Sequence, residues 1–184
     1  MNTVWKLAGA AAAVLTLAAV GLVAYGSTRP TTWQVEVRRE LPASPDKLRP
    51  FLACTGRYTE WMNGVQDPDG VVVEVEGPPC GPGAIYRWSG NGGQGELEIV
   101  GEDDLPGGAF RIRYEMVLEA QRTPAAGWFS VEPRSGGALV VWHDAGELGM
   151  GPVGGLFAPM MQKMLTEHFE VALAVLGDRA SAAR

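Results

Sequence analysis

The sequence predicts an α+β fold in which helices cover one face of an antiparallel sheet. Six short β-rich runs follow one another after residue 70, separated by turns rich in Gly, Pro and Asn. One strand and two short helices precede these runs, and a long amphipathic stretch, residues 152–176, follows them. An antiparallel meander needs a cover for its apolar face, and the last helix is the only element large enough to supply it.

The first 26 residues predict a membrane segment. Residues 7–25 carry no charge, and a helix of that length rises about 28 Å, close to the thickness of a bilayer core. We therefore expect an N-terminal transmembrane helix in residues 1–26 and a linker in 27–32. Lys6 favours a cytoplasmic N-terminus and an extracytoplasmic domain. The alternative is a cleaved signal peptide and a secreted protein, since residues 24–26 resemble a cleavage site.

The first strand and the two short helices follow the linker. Residues 33–41 alternate between apolar and polar side chains, as in a strand with one buried face. Ser44, Pro45 and Asp46 are typical of a helix start, and Pro50 should shorten or kink that helix. Residues 57–62 predict a second short helix anchored by its tryptophan.

The six β-rich runs predict a meander of adjacent strands. The fourth run alternates most clearly, with aromatic and aliphatic side chains on one face and charged side chains on the other. The predicted strands are residues 71–75, 84–89, 95–102, 110–118, 127–132 and 139–145. The segment GNGGQG lacks the lysine of a phosphate-binding loop, so it predicts a hairpin turn.

The final helix places a histidine on its apolar face. On a wheel of about 100° per residue, His168 lies beside Met161 and Met164. Two readings stay open: a hydrogen-bonded histidine in the core, or a histidine that faces a cavity and contacts a ligand.

Charge and cysteine content exclude some functions. The net charge of −6 and the absence of any basic cluster argue against nucleic-acid binding. Cys54 and Cys80 are the only cysteines, and they could form a disulfide in an oxidising compartment or be two small buried side chains. No Cys/His cluster is present, so we predict neither a metal site nor a cofactor.

The sequence contains only weak signs of catalytic motifs. No GxSxG motif is present. His143 and Asp144 are neighbours on a predicted strand, so their side chains should point to opposite faces. Glu96 and Glu98 share one strand face, and a solvated surface explains them better than a pair of catalytic carboxylates.

The order of elements resembles that of a known superfamily. Together with Trp61, the segments AIYRWSGNGGQGELEI and LVVWHDAGE and the Met-rich final helix, it is similar to the START-like (SRPBCC) superfamily, closest to its polyketide cyclase/dehydrase and lipid-transport branch. The resemblance implies a helix-grip fold over residues 33–178. In that fold a seven-stranded antiparallel sheet wraps around the C-terminal helix and leaves an apolar cavity. Residues 179–184 would form a disordered tail.

The resemblance also implies a function. The leading hypothesis is a membrane-tethered domain that binds or transports a hydrophobic small molecule or lipid. Ten residues are expected to line the cavity: Tyr86, Trp88, Leu97, Ile99, Tyr114, Trp142, Phe157, Met161, Met164 and His168. One alternative is an enzyme of cyclase or dehydratase type that uses His168, and another is a structural or partner-binding module with a filled core. The glycine-rich residues 149–155 should border the mouth of the cavity. The sequence predicts neither the ligand nor the oligomeric state.

Overall fold

A computed structural model of the chain describes residues 2–62, 70–90, 93–118 and 123–183. Two long helices, one short helix and seven strands make up most of these residues, together with a 3₁₀ helix of six residues and two 3₁₀ turns of three residues, Pro106–Gly108 and Gly151–Val153. Their bounds are α1 Asn2–Ser27, β1 Thr32–Leu41, α2 Pro45–Ala53, the 3₁₀ helix Thr55–Glu60, β2 Val71–Glu76, β3 Ile85–Gly90, β4 Gly93–Leu105, β5 Ala109–Leu118, β6 Thr123–Arg134, β7 Gly137–Glu147 and α3 Gly154–Ala182.

The seven strands form one antiparallel sheet in the order β1-β7-β6-β5-β4-β3-β2. β1 pairs with β7 along its whole length, from Thr32 opposite Glu147 to Leu41 opposite Ala138. β3 and β4 form the predicted hairpin, with Gly90 opposite Gly93, although the two residues between them lie outside the described ranges. The predicted seven-stranded antiparallel sheet with a long C-terminal helix is confirmed.

Alternation of side chains decides which face of the sheet is covered. On β5, Phe110, Ile112 and Tyr114 are buried, while Arg113 and Glu115 are exposed. The buried face packs against α3 through the small and apolar residues of that helix, and these together form one core cluster. Burying apolar area on this scale is the main source of stability for such a domain.

The two short elements after β1 cover one end of the core. The side chain of Ser44 does not cap α2; its carbonyl oxygen accepts the N–H groups of Lys47 and Leu48 instead. The predicted second helix is a 3₁₀ helix that ends just before Trp61. The indole N–H of Trp61, which is fully buried, donates to the carbonyl oxygen of Phe51 at 3.1 Å. This bond holds the two short elements together.

The C-terminal helix is longer than the sequence predicts. α3 continues to Ala182, with Ala180 fully buried and the Ser181 hydroxyl donating to the carbonyl oxygen of Pro42 at 3.0 Å. The predicted disordered tail is therefore wrong for residues 179–182. Small residues let this last turn pack against the end of β1. Because polar residues lie between them, the sequence does not show an apolar face there.

α1 and the residues after it lie near the start of α3. A Cβ atom added at Gly155 would lie 2.6 Å from the carbonyl oxygen of Gly26 and from the Cβ of Arg29, so only glycine fits there. Among the described residues, no helix combines the length and the hydropathy needed to cross a membrane. The predicted N-terminal transmembrane helix is therefore not found in them.

A disulfide joins Cys54 and Cys80. It links the residue after α2 to the loop that leads into β3, beside a hydrogen bond of the Gly81 N–H to the carbonyl oxygen of Ala53 at 2.8 Å. The bridge closes a segment of 26 residues, which limits the conformations of the unfolded chain.

We predict that replacing both Cys54 and Cys80 by alanine lowers the free energy of unfolding by roughly 3.5 kcal/mol, the loop-entropy value for a segment of this length. Urea denaturation of the oxidised protein and of the double variant measures the difference. A reductant should destabilise only the unsubstituted protein. Equal stability of the two proteins under oxidising conditions would contradict the prediction.

Candidate functional site

A cavity of about 400 Å³ lies between the sheet and α3. Its lining residues come from five strands, from α3 and from the end of the short helical segment. They are Met62, Val71, Tyr86, Trp88, Gly93, Gln94, Leu97, Tyr114, Met116, Leu118, Trp142, Asp144, Met161, Met164, Leu165, His168 and Phe169. Gly93, Gln94 and Met164 are exposed, and Tyr114, Trp142 and Asp144 are buried, so the cavity has an open end and a closed end.

Eight of the ten residues predicted for the cavity lie in its lining: Tyr86, Trp88, Leu97, Tyr114, Trp142, Met161, Met164 and His168. Two predicted residues do not. Ile99 is on the correct face of β4 but lies farther along the strand, where side chains fill the core. Phe157 is in the first turn of α3, and 40% of it is exposed. Ligand contact by the other eight stays a prediction.

Asp144 and several apolar residues also line the cavity, although the sequence did not predict them there. Asp144 lies two positions after Trp142 on β7, and Met116 and Leu118 lie two and four positions after Tyr114 on β5. The two-residue period of a strand could have placed all three on the cavity side. Met62 and Val71 reach the cavity only through the tertiary fold.

The closed end of the cavity contains a directed chain of hydrogen bonds. The indole N–H of Trp142 donates to the Tyr114 hydroxyl oxygen at 2.6 Å, and the Tyr114 hydroxyl donates to Oδ1 of Asp144. An indole nitrogen can only donate, so the hydroxyl proton of Tyr114 is directed to the carboxyl group. All three residues are almost completely buried.

Gly127 makes this chain of hydrogen bonds possible. It lies on β6 between Tyr114 on β5 and Asp144 on β7, and it is the register partner of both. A Cβ atom at position 127 would overlap the Asp144 carboxyl oxygen and the Tyr114 hydroxyl. Tyr114, Gly127 and Asp144 lie side by side on three neighbouring strands, and the two polar side chains meet above the glycine.

Burial controls the ionisation of these groups. It raises the pKa of Asp144 from its ordinary 3.8 to about 7, although hydrogen bonds from Tyr114 and Trp142 oppose the shift. Burial also raises the pKa of Tyr114 well above its ordinary value, and the neighbouring Asp144 carboxylate adds to that effect. Asp144 therefore changes its charge near neutral pH.

His168 faces the cavity from α3. Its ring lies at the edge of Trp142, with the centroids 6.4 Å apart. Its Nδ1 atom is buried, and no group in the described part of the chain forms a hydrogen bond with it. Burial lowers the pKa of His168, which favours the neutral imidazole. Of the two readings left open by the sequence, the structure favours the cavity histidine.

His143 and Asp144 point to opposite faces, as predicted. The ring of His143 stacks on Trp128 on the outer face, with the centroids 5.2 Å apart. Its Nδ1 lies 3.6 Å from a carboxyl oxygen of Glu36. Glu96 also lies on the outer face, where its carboxylate accepts from Nε of Arg87 at 2.6 Å. These groups do not contribute to the cavity.

The glycine-rich residues 149–155 do not border the cavity. None of them is among its described lining residues. Gly154 and Gly155 are buried, and their nearest neighbours are Leu148, Thr31, Gly26 and Arg29. The expectation that this segment borders the mouth of the cavity is therefore wrong. Close packing against the residues at the end of α1 and after it explains Gly154 and Gly155.

The sheet wrapped on a long helix, with a cavity between them, defines a START-like (SRPBCC) protein with a helix-grip fold. A family model described as polyketide cyclase/dehydrase and lipid transport matches residues 32–181. The chain belongs to this family.

Solved structures share the fold. A protein of Chromobacterium violaceum, CV1439, is 18% identical with a TM-score of 0.57, covering 82% of this chain and 99% of its own. The hypothetical protein jhp0584 of Helicobacter pylori is 11% identical with a TM-score of 0.60, covering 83% and 89%. A point mutant of Thalictrum flavum norcoclaurine synthase, in complex with a transition-state analogue, is 13% identical with a TM-score of 0.57, covering 82% and 98%. No curated protein matches the sequence significantly.

We predict that Asp144→Asn stabilises the protein at pH 8 but not at pH 4. The pKa of Asp144 is raised in the folded state, so its contribution to the free energy of unfolding is largest below pH 3.8, where the side chain is protonated in both the folded and the unfolded state. This contribution is lost as the pH rises through about 7. The expected gain at pH 8 is on the order of 4 kcal/mol, which corresponds to the separation of the two pKa values.

Urea denaturation at the two pH values measures this effect. Glu115→Gln is the matched control, because this carboxylate is exposed on β5 beside Tyr114 and should give the same small change at both values. The same stability difference for Asp144→Asn at pH 4 and pH 8 would contradict a raised pKa.

Proposed function

We propose that this protein binds a hydrophobic small molecule or lipid in the cavity between the sheet and α3. The observation that carries the proposal is the cavity itself, about 400 Å³ of space beneath a helix that otherwise packs closely on the sheet. Protein interiors are normally filled, and ligand cavities of a few hundred Å³ are the common exception. A module with a filled core would lack this space.

The composition of the lining supports an apolar ligand of adaptable shape. Four methionines, Met62, Met116, Met161 and Met164, contribute to the walls. Their unbranched side chains adjust to irregular apolar surfaces. Met164 is 53% exposed, which places an apolar side chain at the open end. The family also includes lipid transport in its description.

We predict that Met116→Trp lowers the affinity for N-phenyl-1-naphthylamine, a neutral fluorescent apolar probe, at least tenfold. The larger ring would occupy space inside the cavity. Val117→Trp is the matched control, because Val117 is the next residue on β5, faces outward and is 43% exposed. The affinity of Val117→Trp for the probe should stay within about twofold of the affinity of the unsubstituted protein. Fluorescence titration gives the dissociation constants.

A second filling variant separates loss of space from loss of folding. Leu165→Trp fills the cavity from α3 instead of from the sheet and should weaken probe binding in the same way. Thermal unfolding of all three variants checks that they are folded. Unchanged probe affinity in both folded filling variants would refute binding in this cavity.

A second candidate function is an enzyme of cyclase or dehydratase type. It is favoured by the presence of His168 and Asp144 in one cavity. A neutral imidazole can accept a proton near pH 7, and a carboxyl group with a pKa of about 7 is partly protonated there and can donate one. For a β-hydroxy ketone, His168 would take the α-proton, and the hydroxyl group would leave as water with a proton from Asp144.

We predict for this candidate that the protein accelerates dehydration of 4-hydroxy-2-nonanone, followed by the absorbance of the conjugated enone. His168→Gln should lower the rate at least a hundredfold, the usual contribution of a general base, while the affinity for the apolar probe stays within about twofold. His143→Gln, on the outer face, is the control. Equal rates for His168→Gln and the unsubstituted protein would rule out this role.

The location of the protein stays a proposal. The Cys54–Cys80 disulfide supports an oxidising compartment, as expected for an extracytoplasmic or secreted domain. Protease accessibility of the domain in intact cells would test the location, and protection of the domain would contradict it.

A further inference from the structure

The closed end of the cavity contains an acidic side chain, Asp144. Among the lining residues that the structure describes, Asp144 is the only carboxylic acid, and neither lysine nor arginine is present. Its described hydrogen-bond partners, Tyr114 and Trp142, are neutral donors. A buried carboxylate is normally paired with a cation, because removing its charge from water is unfavourable. In this protein that position is available to a ligand.

The hydrogen-bond chain fixes how Asp144 meets a ligand. Because Trp142 can only donate, Tyr114 accepts from it and directs its own proton to Asp144. When Asp144 is ionised, its carboxylate therefore acts only as an acceptor, and a ligand that reaches it should carry N–H or O–H groups. An anionic ligand head would be repelled.

Aromatic rings along the cavity favour a cation over a neutral hydroxyl group. Trp142 lies next to Asp144, whereas Tyr86 and Trp88 line the wall on β3, toward the open end. Tyr86 and Trp88 stack with their centroids 5.8 Å apart and their planes at 29°, and both line the cavity. The ring of Trp88 lies across Gly95, where an added Cβ would be 2.5 Å from the indole. Trp142 adds a third ring at the closed end. Aromatic faces attract ammonium groups, most strongly in sites removed from water.

We propose that the cavity binds a cationic amine attached to an apolar body, with Asp144 as the counter-ion of the amine. This inference rests on the proposed binding function and names its ligand class. A simple amine fits better than a zwitterionic lipid head group, because the described lining offers no cation to pair with a phosphate.

Four probes of similar chain length test the ligand class with the whole chain: decylamine, decanol, decanoate and dodecylphosphocholine. Their dissociation constants are measured at pH 8 by displacement of N-phenyl-1-naphthylamine. Decylamine should bind at least tenfold more tightly than decanoate and more tightly than dodecylphosphocholine. Dodecylphosphocholine binding as tightly as decylamine would overturn the choice of a simple amine.

Asp144→Asn tests the counter-ion. The variant should bind decylamine at least tenfold more weakly and decanol within about threefold of the unsubstituted protein, because the asparagine oxygen can still accept from Tyr114. Glu115→Gln removes the same charge from the outer face and should change neither affinity. Equal loss of decylamine and decanol binding in Asp144→Asn would indicate a purely structural role and overturn the proposal.

The pH dependence gives a further readout. Decylamine affinity should rise between pH 6 and pH 8 as Asp144 ionises, because an alkylamine stays protonated over that range. Among the lining residues that the structure describes, the other titratable groups are Tyr86 on β3, Tyr114 on β5 and His168 on α3. Burial raises the pKa of Tyr114 and lowers the pKa of His168, and each shift favours the neutral form.

The outcomes separate the two proposals. If none of the four probes displaces N-phenyl-1-naphthylamine and the cavity-filling variants bind it normally, the binding function itself fails. If decylamine, decanol and decanoate bind with equal affinity, the cavity binds apolar ligands but Asp144 does not select a cation.

Discussion

Trp142 joins the parts of the molecule that form the cavity. Its ring stacks on Phe169 of α3 with the centroids 3.7 Å apart and the planes at 5°, which holds the helix on the sheet. The same ring contacts Trp61 after the 3₁₀ helix and Phe129 on β6. Its N–H group begins the hydrogen-bond chain to Asp144. Packing and polar contacts therefore converge on one side chain.

This convergence explains why the cavity has one closed and one open end. Around Trp142 the aromatic rings fill the space between α3 and the sheet. Toward Met164 and the β3–β4 hairpin the lining side chains are longer and partly exposed, and the space between them stays open. A closed end built on Trp142 and an open end with adaptable methionines suit a ligand that has a defined head and a variable body.

The hydrogen-bond chain of Trp142, Tyr114 and Asp144 lowers the stability of the folded state when Asp144 is ionised. A role in binding or catalysis would explain why the protein has it. A buried carboxyl group with a pKa of about 7 lowers the stability of the folded state at neutral pH. Gly127 adds a second constraint, because no other residue leaves room for the contact between Tyr114 and Asp144. Such local departures from a stable apolar core are common at binding and catalytic sites.

The sequence alone determined the order of elements and the inward face of most strands, because period-two alternation and glycine-rich turns are local signals. Eight cavity residues could be chosen on that basis together with the family resemblance. Only the tertiary structure decided that Ile99 fills the core, that Phe157 is half exposed and that the last turn of α3 packs on β1. It also decided that Tyr114, Gly127 and Asp144 lie in one row across three strands. Strand register decides which residues lie opposite one another, and the alternation pattern within one strand does not specify it.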